Sequence, residues 1–521
     1  MNRTKMIKKM NEIPRFDVVI IGGGATGLGA AVDSAARGLK TLLVERDDFA
    51  KATSSRSTKL IHGGLRYLQQ GNLSLVTEAL KERGRLCKNA PHLISHRPFL
   101  VPNYHWWEGP FYGFGLKVYD ALAGKQGIEK SYHLSKEETL KAIPNLKKDD
   151  LRGGVIYYDG QFDDSRLAIT LAKTCIDLGG IALNYMCAES FIKENGQIIG
   201  IVAKDSESGN SYKIKAKSVI NACGIFSDEM RQKDNPKVKP RLVLSQGVHL
   251  VLKGELLSSN HAILVPHTDD GRVLFLVPWH NRVLAGTTDS SVEKATSEPI
   301  AKKDEVDFIM RESQKFLAAP LQKSDVLSVF AGIRPLAKKD DSEETKKLSR
   351  DHVILVSNSN LISIFGGKWT TYRKMGEDVI NKAIEVANLT KKECATYTLK
   401  LHGYAQGLDP DQDLSTYGSN YLLLRKIANE DPSYNELIHP NLPYQKSEVI
   451  YAVRYEMARK LEDVLCRRTR SILLDAAASV ESCATVAKLM AKELGYGQDW
   501  SEQQIANFKE LSATYLPSNY L

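Results

Sequence analysis

Three glycines, Gly22, Gly24 and Gly27, stand at G-x-G-x-x-G spacing directly after the apolar run FDVVII at residues 16–21. In that pattern the first glycine permits a tight turn, the second lets backbone approach a pyrophosphate, and the third packs the next helix against the strand. Glu45 follows the β-rich run at residues 40–44, where a carboxylate accepts a hydrogen bond from a ribose hydroxyl. Residues 53–68 then read TSSRSTKLIHGGLRYL. The hydroxyls of Thr53, Ser54 and Ser55 can cap a helix or bond a phosphate, and Gly63 and Gly64 beside His62 let backbone approach a flat ligand. The chemistry is that of dinucleotide binding. The fingerprint alone does not separate FAD from NAD.

These residues need a strand, a turn, a helix and a second strand to hold them. Residues 16–21 are short, continuously apolar and β-branched, the pattern of a strand buried on both faces. An Ala-rich helix is expected from about Gly27 to Arg37, stopped by Gly38. A chain of 521 residues, 42% hydrophobic, can bury a large core and should form two or three domains. Its net charge of +9 arises from 71 basic and 62 acidic residues, which suits anionic substrates or an anionic membrane surface but is too diffuse for nucleic acid. The seven cysteines are scattered, with no CxxC pair, which fits a reducing compartment and no metal site. The basic N-terminus lacks the apolar core of a signal peptide, and no stretch is long enough to span a bilayer.

The fingerprint, TSSRSTKLIHGGLRYL and VTEALKERGRL together closely resemble FAD-dependent glycerol-3-phosphate dehydrogenases of the aerobic, quinone-linked type. The resemblance continues through RPFLVPNY, FDDSRLA, VINACG, VPWHNRVLAGTTD, GIRPL, LSRDH, FGGKWTTYR and VRYEMARKLEDVLCRRTR, nearly the whole chain from residue 16 onward. It implies an α/β fold: a Rossmann-like FAD-binding domain, a sheet-rich substrate domain and a C-terminal helical cap domain. The corresponding segments are residues 16–75, 150–235 and 325–390 for FAD, 76–149 and 236–324 for substrate and membrane, and 394–521 for the cap. Short β-rich runs at residues 243–288, with turn signals at 269–271 and 280–281, read as antiparallel hairpins. The acidic and basic stretch at 338–347 reads as an exposed loop, and YAVRYEMARKLEDVL as an amphipathic helix.

The resemblance implies FAD contacts at Gly22, Gly24, Ala25, Thr26, Gly27, Glu45, Arg46, Thr53, Ser54, Ser55, Lys59, Leu60, His62, Gly63, Gly64, Ala188, Ala222, Gly224, Gly332, Gly366, Gly367, Lys368 and Thr370. Arginine suits a phosphate because its planar fork donates two hydrogen bonds at once, and Arg66, Arg334 and Arg350 match the family's substrate-pocket arginines. His249 and Lys368 complete the expected substrate set. Oxidation of an alcohol requires removal of its proton by a group near neutral pKa, for which His62, His249 and Lys368 are candidates. We assign His62 as base, Arg334 to polarise the alcohol oxygen, and Lys368 to the reduced flavin's charge or a substrate oxygen.

The implied reaction is oxidation of sn-glycerol 3-phosphate to dihydroxyacetone phosphate, with hydride passing from C2 to flavin N5 and electrons onward to a membrane quinone. Rival readings are an oxidase that reduces oxygen to peroxide and a non-catalytic FAD-binding redox sensor. The aromatic stretch YHWWEGPFYGFGLKVY, residues 104–119, is expected to dock on a membrane, while the run of Arg467, Arg468 and Arg470 reads equally as a contact for acidic lipid or as a solvated or paired helix face. The expected place is therefore peripheral, on the cytoplasmic face of the inner membrane. Paired EF-hand loops are not seen, which favours a bacterial-type enzyme. A homodimer is compatible with all of this.

Overall fold

The computed structural model of the chain describes residues 1–64, 68, 72–338, 352–409 and 414–521. Phe16–Ile21 is the central strand of a sheet ordered His352–Val356, Leu361–Gly366, Ser211–Asn221, Phe16–Ile21, Thr41–Val44, Ile181–Leu183. The central pairings are parallel, with Ile20 opposite both Ile220 and Leu43, as a strand buried on both faces requires. The helix Ala25–Ala36 starts directly after Gly24 and ends before Gly38, whose φ of 70° terminates it. Its small residues have a further use. A Cβ on Gly29 would lie 2.6 Å from the carbonyl oxygen of Tyr372, and one on Gly376 would lie 2.6 Å from Gly29, so the helices Ala25–Ala36 and Tyr372–Val386 meet backbone to backbone.

The N-terminal helix Arg3–Glu12 was not expected. Arg3 is buried, reaching Asp205 at 2.6 Å and the carbonyls of Asn184 and Tyr185, while Met10 enters the core under the strand pair Met186–Glu194 and Gln197–Asp205.

The second sheet is ordered Ser290–Val292, Leu242–Lys253, Arg282–Gly286, Leu274–Trp279, Ala262–Val265, Ile94–Asn103, Gly153–Phe162, Leu60–Ile61. Val326–Ala337 pairs along the whole of Leu242–Lys253. The antiparallel hairpins expected at 243–288 are present; the tightest turns at His280 and Asn281, both at positive φ (47° and 55°), the backbone of a primed turn. Three segments assigned by sequence to the FAD domain belong instead to this sheet: Leu60–Ile61, Gly153–Phe162 and Val326–Ala337. Their residues are mostly buried on both faces, and such a run reads alike whichever sheet receives it.

The C-terminal helices pack on the second sheet, sharing one core in which Phe99, Leu284 and Phe330 meet Ile472, Leu473 and Val486. The helix expected through YAVRYEMARKLEDVL is broken. Lys446–Glu456 stops at Met457, which adopts a left-handed conformation, and Asp463 accepts hydrogen bonds from the amides of Arg459 and Lys460 before a wide turn at Asp463–Arg468. That turn buries Arg467 and Arg468 against Asp48, at 2.6 Å each, and Arg470 against Asp164, at 3.1 Å. None of the three arginines reaches a lipid surface: each is at most 3% exposed. Burial alone would raise the pKa of Asp48, but Arg468 and Arg467 hold it far below the ordinary carboxylate range. Removing one partner of a buried pair leaves uncompensated charge and costs about 3–5 kcal/mol. Asp48→Ala should therefore lower the unfolding free energy read from urea titration by that amount, and a value within experimental error of wild type would show that the two arginines find another partner.

Candidate functional site

A cavity of about 490 Å³ lies between the two sheets. At one end stand Gly22, Gly24, Ala25 and Thr26, where the fingerprint turn enters its helix, with Ala222 and Gly224 from the neighbouring strand end and Ala188 across from them. A Cβ on Gly22 would lie 2.5 Å from the carbonyl oxygen of Ala222, and its φ of 113° is a glycine conformation. Gly27 does not line the cavity. Its Cβ would lie 1.9 Å from the carbonyl oxygen of Gly22, so it packs helix on strand as the fingerprint requires. The Ala25 amide donates to Ser54 Oγ at 2.9 Å, tying the helix N-terminus to the hydroxyl-rich loop.

Glu45 lines the same end and accepts from the amides of Gly23 and Asp47 at 2.6 and 2.8 Å. Burial pushes its carboxyl up to about 7 against the pull of those two amides. Arg46, beside it, pairs with Asp47 at 3.1 Å and lies 4.5 Å over the ring of Phe226.

The loop after the fingerprint divides its side chains between cavity and interior. Thr53, Ser54, Leu60, His62 and Gly64 line the cavity, and Thr53 Oγ1 donates to the Ile333 carbonyl at 2.7 Å. Lys59 departs from its expected place. It is fully buried away from the cavity, its ammonium 3.0 Å from Asp164 and 5.1 Å from the ring centre of Trp279. Burial lowers its pKa to about 8 even with Asp164 opposing the shift. Ser55 and Gly63 also turn from the cavity: Ser55 Oγ donates to the Ala52 carbonyl at 3.3 Å, and the Gly63 amide donates to the Tyr119 hydroxyl at 2.8 Å. One-letter spacing marks this loop as special but cannot say which residues face inward.

Gly366 and Gly367, at φ of 74° and 81°, turn the strand Leu361–Gly366 toward the helix Tyr372–Val386. They line the cavity with Lys368 and Thr370, whose hydroxyl bridges to the His62 backbone at 3.3 Å.

At the far end stand Arg334 and His249, with Gly332 in the wall between sheets. Arg334 donates to Thr287 Oγ1 at 2.9 Å and lies 3.5 Å from Asp289. Its guanidinium rests on Gly247, where a Cβ would come within 2.2 Å of Nη2. His249 Nε2 meets Thr58 Oγ1 at 2.9 Å and its ring stacks on Phe330 at 4.9 Å. Nδ1 is buried without a hydrogen-bond partner among the described residues. Burial, with Arg334 and Lys59 adding to it, holds His249 neutral, well below the usual histidine range. Arg66 and Arg350, with nearly all of the 338–347 stretch, lie outside the described residues.

Sequence reasoning missed several cavity residues: Arg56, Thr287, Asp159, Tyr112 and Arg272. Thr287, Arg56 and Tyr112 lie in the blocks VLAGTTD, TSSRSTKL and YHWWEGPFYGFGLKVY, which single out the stretch but not the residue; Asp159 and Arg272 have no such signal. Arg56 looked like one loop residue among many because its partner, Glu298, lies far along the chain.

This donor set fits FAD. A glycine turn, a helix N-terminus and a buried acceptor carboxylate occupy one end, and the Gly366 and Gly367 turn leads to a cationic far end within the same cavity. Comparison with known proteins agrees. Residues 17–373 match the family model described as FAD dependent oxidoreductase, and residues 377–505 match the C-terminal domain of alpha-glycerophosphate oxidase. The chain is 39% identical to the mitochondrial glycerol-3-phosphate dehydrogenase of Rattus norvegicus, over 99% of this chain and 75% of that protein. The Schizosaccharomyces pombe counterpart is 37% identical over 95% of this chain and 87% of its own. A crystal structure of glycerol-3-phosphate dehydrogenase from Bacillus halodurans complexed with FAD superposes with a TM-score of 0.80 at 30% identity, covering 98% of this chain and 97% of that one. The chain belongs to the FAD dependent oxidoreductase family, within its glycerol-3-phosphate dehydrogenases.

Proposed function

We propose that the chain oxidises sn-glycerol 3-phosphate to dihydroxyacetone phosphate. The observation that carries this reading is one cavity holding a dinucleotide turn at one end and, at the other, Arg334 seated on Gly247 beside neutral His249. Bound FAD supplies the two-electron acceptor for the alcohol. Gly22, Gly24 and the start of the helix Ala25–Ala36 would hold its diphosphate, and Glu45 its ribose.

Arg334 and Lys368 would bind the anionic substrate, with Arg66 and Arg350 assigned to the same task by resemblance. A guanidinium held by Thr287 and Asp289 keeps its orientation before substrate arrives, so less side-chain freedom is lost on binding. His62 is assigned as the base that takes the hydroxyl proton. His249 has its own support for that role, since it lines the cavity and its buried Nδ1 has no hydrogen-bond partner among the described residues, and an approaching phosphate dianion would raise its pKa toward neutrality.

Electrons would pass to a quinone at a membrane surface. Support comes from the helix Glu108–Ala123 and the residues leading into it, where Trp106 is 77% and Phe114 73% exposed, with Trp107 and Phe111 beside them. Exposed amphipathic rings of this kind suit the headgroup level of a bilayer. No helix among the described residues is long and apolar enough to cross a membrane. The proposed contact is peripheral, on the cytoplasmic face. The match to an alpha-glycerophosphate oxidase C-terminal domain favours oxygen as a second acceptor reading. Oxygen uptake without added quinone separates the two.

Anaerobic addition of glycerol 3-phosphate to flavin-loaded protein should bleach the flavin band, and no bleaching would reject the substrate. Arg334→Ala should lower kcat/KM at least about tenfold, the loss expected of a charged donor in a water-poor site; wild-type kcat/KM would remove Arg334 from the mechanism. Glu45 has its pKa raised, so it is protonated below about pH 7 and loses acceptor capacity there. FAD affinity of the apoprotein should therefore fall as pH drops below 7, by up to about tenfold per unit. Glu45→Gln should flatten that dependence in a fluorescence titration, and a pH-independent wild type would contradict the assignment. Replacing Trp106 and Trp107 together by Ser should weaken sedimentation with anionic liposomes while sparing dye-linked turnover. Undiminished sedimentation would count against membrane docking.

A further inference from the structure

The helix that presents the exposed aromatic rings also has an inner face. Tyr112 on that face lines the cavity, and Tyr119, two turns on, is 1% exposed. The Tyr119 hydroxyl accepts the Gly63 amide at 2.8 Å and donates to the Asp159 carboxylate at 2.9 Å. Asp159 is in turn paired with buried Arg83, and it lines the cavity itself. Gly63 is shaped to this contact, since a Cβ there would lie 2.6 Å from both the Tyr119 hydroxyl oxygen and Leu80 Cδ2. From the other side Thr370 bridges to the amide and carbonyl of His62. The backbone at residues 62–63 is thus clamped between a hydroxyl from the Lys368 turn and a hydroxyl from the aromatic helix.

We propose that Tyr119 is a positioning residue for the reaction: by fixing the Gly63 amide against Asp159 it sets where His62 and Gly64 stand in the cavity wall. The direction of the bonds supports this. A phenol has one proton, and burial together with Asp159 keeps it on Tyr119. It is spent on Asp159, which leaves the oxygen lone pair for Gly63. Arg83 holds Asp159 from behind, so the hydroxyl cannot follow a displaced loop without breaking a buried ion pair. The docking helix and the loop beside the flavin are in this way one mechanical unit, although Tyr119 itself touches neither substrate nor cofactor in this scheme.

The inference rests on the proposed function, and the test keeps the two apart. Flavin-loaded wild type, Tyr119→Phe and Asp159→Asn are compared by anaerobic bleaching with glycerol 3-phosphate, steady-state kinetics with a soluble dye, the oxidised flavin spectrum and thermal unfolding. If wild type does not bleach, the functional reading fails first. If it bleaches, Tyr119→Phe should lose about 10- to 100-fold in kcat, the range for a small displacement near the chemistry, with KM within about twofold and a shifted flavin absorbance band. Asp159→Asn keeps an acceptor for the hydroxyl but leaves buried Arg83 without its counter-charge, so it should unfold earlier than wild type while its kcat falls between the two. A Tyr119→Phe protein that unfolds earlier but keeps kcat and spectrum would make the contact merely structural and overturn the proposal. If Tyr119→Phe does not fold, Asp159→Asn decides alone: a lowered kcat with a shifted spectrum supports it, and wild-type values for both overturn it.

Discussion

Two buried carboxylates hold this molecule together where its sheets and its C-terminal helices meet. Asp48 receives Arg467 and Arg468 from the wide turn, and Asp164 receives Lys59 from the cofactor loop and Arg470 from the C-terminal segment. Four cations out of water would be ruinous if left unmatched, and Asp463, 2.7 Å from Arg467, and Asp163, 3.4 Å from Arg470, add further negative charge; ion pairs in such a place add little net stability over apolar packing. What they supply is geometry. Arg470 also donates to the Ser55 carbonyl, and Ser57 donates to Asp164 through both its amide and its hydroxyl, so the loop facing the fingerprint turn has its course dictated from behind. Ser54, at the centre of that loop, can then meet the Ala25 amide at the head of the fingerprint helix.

With the loop fixed, the cavity wall depends on glycines that let one piece of backbone or one long side chain lie flat on another. Gly22 gives way to Ala222, Gly286 to the His249 ring, and Gly247 to the Arg334 guanidinium. The last two lie on adjacent antiparallel strands, where Gly286 faces His249 in register and Gly247 lies opposite Gly332. A sheet floor made of small residues can carry a charged side chain parallel to its surface, which is how an arginine presents its fork without being extended into solvent.

The electrostatic character of the cavity follows from the same packing. Burial pushes Glu45 up to about 7 and holds His249 neutral among cations. An anionic ligand entering the Arg334 end would meet fixed positive charge in a poorly hydrated place, where each interaction counts for more than at the surface. The aromatic helix closes this arrangement, with one face turned outward and Tyr112 and Tyr119 turned to the cavity and its supporting acid.

The local parts of this were legible in the sequence. Strand, glycine turn, helix and acid over residues 16–45 stand where their pattern places them, because a buried strand, a diphosphate turn and a helix stop each have a short-range signature. The block resemblance carried the family, FAD and the overall class. What only the tertiary structure decided was the direction of side chains and the choice of partners. Lys59 reads as a cofactor residue until Asp164, 105 residues away, claims it. Arg467, Arg468 and Arg470 read as a basic run until Asp48 and Asp164 bury them. Residues 153–162 and 326–337 fall in segments given to the cofactor domain until strand pairing assigns them to the other sheet. Periodicity records whether a residue is covered, a local property. Which residue covers it is set by contacts between segments hundreds of positions apart, and no spacing within either segment carries that information.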